Sequence, residues 1–139
     1  MIWIIIIVII GYVLFNFLND LSKDNYDLRH QSLNEKFSII VHSINEAAFN
    51  GQGDVIILNK RSFNLYEDGQ NQIINFQYGT GILTITWKYK YFQKQIVHEQ
   101  TFSNVRNLSI FQQQKIAEKI ILEMILVVEN HKKKVLEEI

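Results

Sequence analysis

Three hydrophobic patterns follow one another along the chain. Residues 1–18 are almost wholly apolar: Met1 to Phe15 carries no charged side chain, Asn16 is the first strongly polar residue, and Phe17 and Leu18 close the run before Asn19 and Asp20. As a helix, residues 1–18 reach about 27 Å against a hydrocarbon core of ~30 Å, which predicts a single transmembrane anchor with little length to spare. Trp3 fits the outer interface, where an amphipathic ring is favoured. The isoleucine run would suit a strand in water, but in lipid a lone segment satisfies its backbone only as a helix. A cleaved signal peptide is disfavoured, because no Lys or Arg precedes Lys23 and no small-x-small site lies near residue 20. A buried core helix is a poor fit to a wholly apolar stretch.

Residues 19–32 are polar and mixed in charge and read as a juxtamembrane segment without Gly or Pro. From residue 33 the second pattern begins. Leu33, Phe37, Ile40, Val41, Ile44, Ala47 and Ala48 recur at three- and four-residue intervals, which predicts an amphipathic helix stopped near Gly51. The membrane helix can run on into it, straight or kinked.

After Gly51-Gln52-Gly53-Asp54 the period changes to two. Short strands are expected over Val55–Leu58, Ser62–Glu67 and Gln72–Tyr78, with turns at Lys60-Arg61 and Glu67–Asn71. Ile74, Phe76 and Tyr78 share one face. The next strand sets Leu83, Ile85, Trp87, Tyr89 and Tyr91 against Thr84, Thr86, Lys88 and Lys90, and a one-residue slip would expose all five large groups. Phe92-Gln93 turns the chain into a less regular strand, Lys94–Phe102. Short connections make this an antiparallel meander of about five strands with one solvated face.

The third pattern is helical again. Ser109 and Gln112 have capping-box spacing, and the helix from Ile110 is expected to end near His131, with Lys132-Lys133-Lys134 complementing its carbonyl end. At 100° per residue Glu118, Lys119, Glu123, Glu129 and Asn130 mark the polar side, yet Leu122 and Leu126 fall in the same arc. The fold class is therefore α+β: one transmembrane helix, an amphipathic helix, the meander, and a long C-terminal helix packed across its aromatic face. Residues 33–139 form the small domain.

Composition narrows the function classes. The 139 residues include 14 basic and 14 acidic side chains, and neither cysteine nor proline. This length suits one domain. Without cysteine there is no disulfide scaffold, Cys-ligated zinc, iron–sulfur cluster or thiol nucleophile. Zero net charge speaks against nucleic acid as a partner. His30, His42, His98 and His131 lack metal-ligand spacing, and His98 and Glu99, as strand neighbours, point to opposite faces. Gly51-Gln52-Gly53 and Gly79-Thr80-Gly81 are not phosphate loops, and no nucleophile elbow occurs. No enzyme, metal or cofactor is expected.

Three surface features remain. Lys88, Lys90 and Lys94, with Lys60 and Arg61 able to lie nearby, are candidate contacts for anionic headgroups, or an ordinary solvated strand face. Their aromatic neighbours lie on the opposite face, unlike a single-strand nucleic-acid platform. Leu122 and Leu126 are candidate contacts for a partner. Phe76, Tyr78, Trp87 and Tyr89 either line an apolar cavity, as in lipid-binding helix-grip domains, or fill the core. Type IV pilins share the outline of an apolar helix leading into a sheet, but their cleavage glycine and the glutamate after it have no counterpart.

Lys23, Arg29 and Lys36 follow the apolar run while only the α-amine precedes it, so the positive-inside rule puts the domain in the cytoplasm. The expected function is a single-pass, non-enzymatic accessory or scaffold subunit of a larger membrane assembly. Its partners are the lipid bilayer and other membrane subunits or a second copy of the chain. A membrane-tethered lipid- or small-ligand-binding module is the alternative.

Overall fold

The apolar run belongs to one uninterrupted helix. In the computed structural model, which describes residues 1–138 apart from the side chains at 24, 25, 27 and 30, α1 spans Ile2–His30. Its stretch Ile2–Lys23 is long and apolar enough to cross a membrane, with a mean hydropathy of 2.4 and none of it buried in the protein. The segment 19–32 is thus helical almost to its end, because neither Gly nor Pro interrupts it. Ser32, with extended dihedrals (φ −64°, ψ 158°), starts a new element.

The amphipathic stretch comes in two pieces rather than one. Helix α2 covers Leu33–Lys36, Phe37 leaves helical geometry (φ −106°, ψ 30°), and α3 covers Ser38–Phe49. The break does not disturb the apolar stripe: Leu33, Phe37, Ile40, Val41 and Ile44 are all buried. Asn50, not Gly51, is the first left-handed residue at the end of α3 (φ 52°), with Gly51 following at φ 81°.

Five antiparallel strands follow in sequential order: β1 (Asp54–Asn59), β2 (Ser62–Tyr66), β3 (Gln72–Gly79), β4 (Ile82–Tyr91) and β5 (Lys94–Phe102). Their period-two pattern yields one dry face and one wet one. Phe63 and Phe76 are register partners on the dry face and stack with centroids 4.6 Å apart. The wet face is a hydrogen-bonded ladder: Asn75 Nδ2 donates to Asn64 Oδ1 at 2.7 Å, and the Thr86 hydroxyl donates to Glu99 at 3.1 Å.

Helix α4 runs over Ile110–Glu138. The capping box forms as the spacing predicts: Gln112 N–H donates to Ser109 Oγ at 3.2 Å, and Ser109 N–H to Gln112 Oε1 at 2.9 Å. The helix does not end near His131. Its last turns are held down by β5, through His131 Nε2 at 2.8 Å from the Lys94 carbonyl and through a Lys94–Glu138 ion pair. Helices α3 and α4 share the dry face, so the C-terminal helix covers the sheet jointly with α3 rather than alone. Two residues expected on the polar side of α4 turn to β5 instead: Lys119 lies over the Phe102 ring, and Glu123 Oε2 is 3.2 Å from His98 Nε2.

Candidate functional site

Where α3 ends, β4 runs under α4 without a third helix to cover it. A cleft of about 300 Å³ opens there, with Trp87 and Tyr89 on its floor and Ala48, Gln72, Met124 and Lys132 among its walls. The floor is mostly hidden, Trp87 being 4% and Tyr89 7% exposed. The indole is tied to the walls: Trp87 Nε1 donates to Gln72 Oε1 at 2.9 Å, and Gln72 Nε2 donates to the Ala48 carbonyl at 2.8 Å. The Lys132 ammonium lies 5.9 Å from the Tyr89 ring centroid and 5.5 Å from that of Tyr91, so an apolar slot carries one cation at its mouth. Its volume is at the lower end for small-molecule sites.

The four aromatics considered as a cavity lining are divided. Phe76 is fully buried against Phe63, and Tyr78 meets Phe37 edge-on with centroids 5.4 Å apart, so both belong to the close-packed core beneath α2 and α3. Of the four, Trp87 and Tyr89 border this cleft.

Leu122 and Leu126 project from α4 into solvent, 63% and 61% exposed. Ile125 lies between them and is half exposed, and it also borders the cleft, so slot and leucine patch are contiguous.

Lys88 and Lys90 stand exposed on the wet face of β4, while Lys94 beyond the hairpin is engaged by Glu138. That hydrogen bond and the Lys94 charge hold the Glu138 carboxyl below the ordinary carboxylate range against the opposing effect of desolvation, with smaller help from Lys134 and His131. Lys60 and Arg61 do not join this group. They precede Ser62, whose row across the sheet is Gln77 and Thr84, and Lys88 lies four residues further along β4, about 13 Å away.

Among the described residues no three His, Asp or Glu side chains are grouped to hold a metal ion. His42 is exposed, His98 pairs with Glu123, and His131 meets the Lys94 carbonyl; the His30 side chain lies outside the described set. Glu99 bonds Thr86 on the face opposite to His98, as strand alternation requires.

Two features escape a reading by periodicity. Ile56, Ile57 and Leu58 are exposed on β1, which is an edge strand, and an apolar run alone does not say whether a strand is central or at an edge. Ile110 and Phe111 are exposed in the first turn of α4. Their signal is two large apolar groups directly after a capping box, where a soluble helix commonly carries acidic or polar residues.

Comparison with protein-family models, characterised proteins and solved structures finds no match to this chain.

Proposed function

We propose that this protein is a single-pass membrane-anchored, non-enzymatic accessory subunit that presents its α+β domain, on the cytoplasmic side, to a larger membrane assembly. The observation that carries this reading is the pairing of an unburied apolar helix, Ile2–Lys23, with an unburied apolar patch on α4 at Leu122, Ile125 and Leu126. The first surface calls for a bilayer, and the second for a protein face. Lys23, Arg29 and Lys36 after the apolar stretch support the cytoplasmic side.

Purification of the full-length chain from its native membrane in mild detergent tests this. Stoichiometric membrane subunits are expected to accompany it. Leu122→Ser with Leu126→Ser should release them while changing the unfolding free energy by only about 0.5 kcal/mol, since neither side chain is buried. Association that survives both substitutions removes α4 as the contact.

The cleft beside Trp87 favours one alternative, a tethered module for an apolar ligand with an anionic end near Lys132. Lipid co-purifying at one equivalent, and lost on Ala48→Leu, would support it.

A further inference from the structure

The guanidinium of Arg106, in the loop between β5 and α4, reaches α1. Its Nη2 lies 3.4 Å from the Asp20 carbonyl and its Nη1 lies 3.8 Å from the Asp20 carboxylate. Asp20 is the first charged side chain of α1. On the anchor reading, on which this inference rests, Asp20 marks where the helix leaves hydrocarbon, and Arg106 therefore fixes the loop at headgroup depth. The Val105 N–H donates to the Gly81 carbonyl at 3.0 Å and the Lys36 ammonium donates to the Arg106 carbonyl, so the β3–β4 turn and α2 are held at this same end of the domain.

Ser109 caps α4 three residues after Arg106, and the next two side chains are Ile110 and Phe111, 65% and 63% exposed. The chain from Arg106 to Phe111 reaches at most about 18 Å. Lys115 lies one turn on, its ammonium 4.7 Å from the Phe111 ring centroid. An apolar pair with a cation above the ring, rigidly presented by a capped helix, is the chemistry of an interfacial contact: the ring enters the acyl boundary while the ammonium stays among phosphates.

We propose that the first turn of α4, through Ile110, Phe111 and Lys115, is a second contact with the bilayer that α1 enters. The domain then lies against the membrane surface on two points instead of hanging from a flexible stalk. Lys88, Lys90 and Lys94 lie toward the far end of the sheet from this contact. Lys90 is eight residues along β4 from Ile82, which starts beside Gly81, so it lies about 26 Å from this end of the sheet. That separation exceeds the ~8 Å Debye length at physiological salt.

The absence of cysteine allows a direct test. The full-length chain carries a single cysteine, labelled with an environment-sensitive fluorophore, in place of Ile9, Phe111 or Lys90. Each is an exposed position, so folding is not at stake. The proteins are reconstituted into phosphatidylcholine vesicles with phosphatidylserine as the minor component, bearing spin labels at headgroup or acyl depth. Deep quenching is expected at position 9, headgroup-depth quenching at 111, and water-like emission at 90. Quenching at 9 with water-like emission at 111 overturns the second contact while leaving the anchor standing. Quenching at 90 in place of 111 overturns it in favour of the lysine face. Water-like emission at 9 in the folded protein removes the anchor and this proposal together.

Discussion

The indole Nε1 of Trp87 donates to Oε1 of Gln72 at 2.9 Å, and the opposite end of the same amide donates to the carbonyl of Ala48. One side chain from β3 thereby joins β4 to the last turn of α3 and satisfies two groups that the cleft would otherwise leave dry. Gln72→Leu keeps the volume and removes both bonds. The expected loss is about 1–3 kcal/mol of unfolding free energy, since the partners are left part-buried and unpaired. A urea titration followed by tryptophan emission measures it; an unchanged midpoint would mean that water replaces the amide.

Gly53 and Asn45 clasp each other across the α3–β1 turn. Asn45 Oδ1 accepts from the Gly53 N–H at 2.8 Å, and Asn45 Nδ2 donates to the Gly53 carbonyl at 3.2 Å. A Cβ on Gly53 would lie 2.7 Å from both Asn45 Oδ1 and Phe49 Cδ2. Phe49 is 3% exposed and has no room to retreat. Gly53→Ala should cost about 1–3 kcal/mol through overpacking. Gly69→Ala, in open space but at φ 83°, should cost only about 1 kcal/mol from backbone strain. Denaturant melts giving the reverse order would show the clasp to be soft.

Strands β3 and β4 are legible in the sequence because the sheet has one dry face: Ile74, Phe76 and Tyr78, then Leu83 to Tyr89, alternate without error. The exposure of Leu122 and Leu126 follows from helical angles alone. What is not legible is set by distant partners. Phe37 breaks the helix between α2 and α3 while keeping its ring in the core, so the apolar stripe passes through the break unmarked. The lysine run resembles a helix end, but Lys94, 44 residues from Glu138 in the chain, keeps the helix going. Whether an aromatic borders the core or the cleft depends on where α3 stops above it. Trp87 and Phe76 look alike in a one-dimensional pattern.

Acid should loosen the end of α4. The Lys94 hydrogen bond and charge lower the folded-state pKa of Glu138 relative to an unfolded chain. A depressed carboxylate contributes stability above its unfolded pKa and loses it as pH falls through the folded value. The final turn thus stays docked on the β4–β5 hairpin at neutral pH and frays below the ordinary carboxylate range. Amide exchange over residues 134–138, corrected for its intrinsic pH dependence, reads this directly. Glu138→Gln should fray at neutral pH and respond no further to acid. Equal protection in both proteins across the range would mean that His131 alone secures the helix end.

The β4–β5 hairpin turns on Phe92 and Gln93, with φ of 49° and 64°, the left-handed region that a two-residue hairpin loop requires. The β3–β4 hairpin meets the same demand with Gly81 in second place, at φ 73°. An L-residue with a Cβ is strained there by roughly 1–2 kcal/mol, and here two occur in succession. The Phe92 ring, 62% exposed, packs edge-on to Tyr91 with centroids 4.6 Å apart, which offsets part of the strain. Replacing the pair by Asn-Gly relieves the backbone but forfeits the ring contact and adds entropy to the unfolded chain. The net expectation is a gain of about 1 kcal/mol, because the strain at two residues exceeds one half-exposed aromatic pair. Gln93→Gly alone should capture the larger share, since it leaves Phe92 on Tyr91. A double variant less stable than the starting protein would mean that the ring contact outweighs the backbone, and would make Phe92 a packing residue of the hairpin tip.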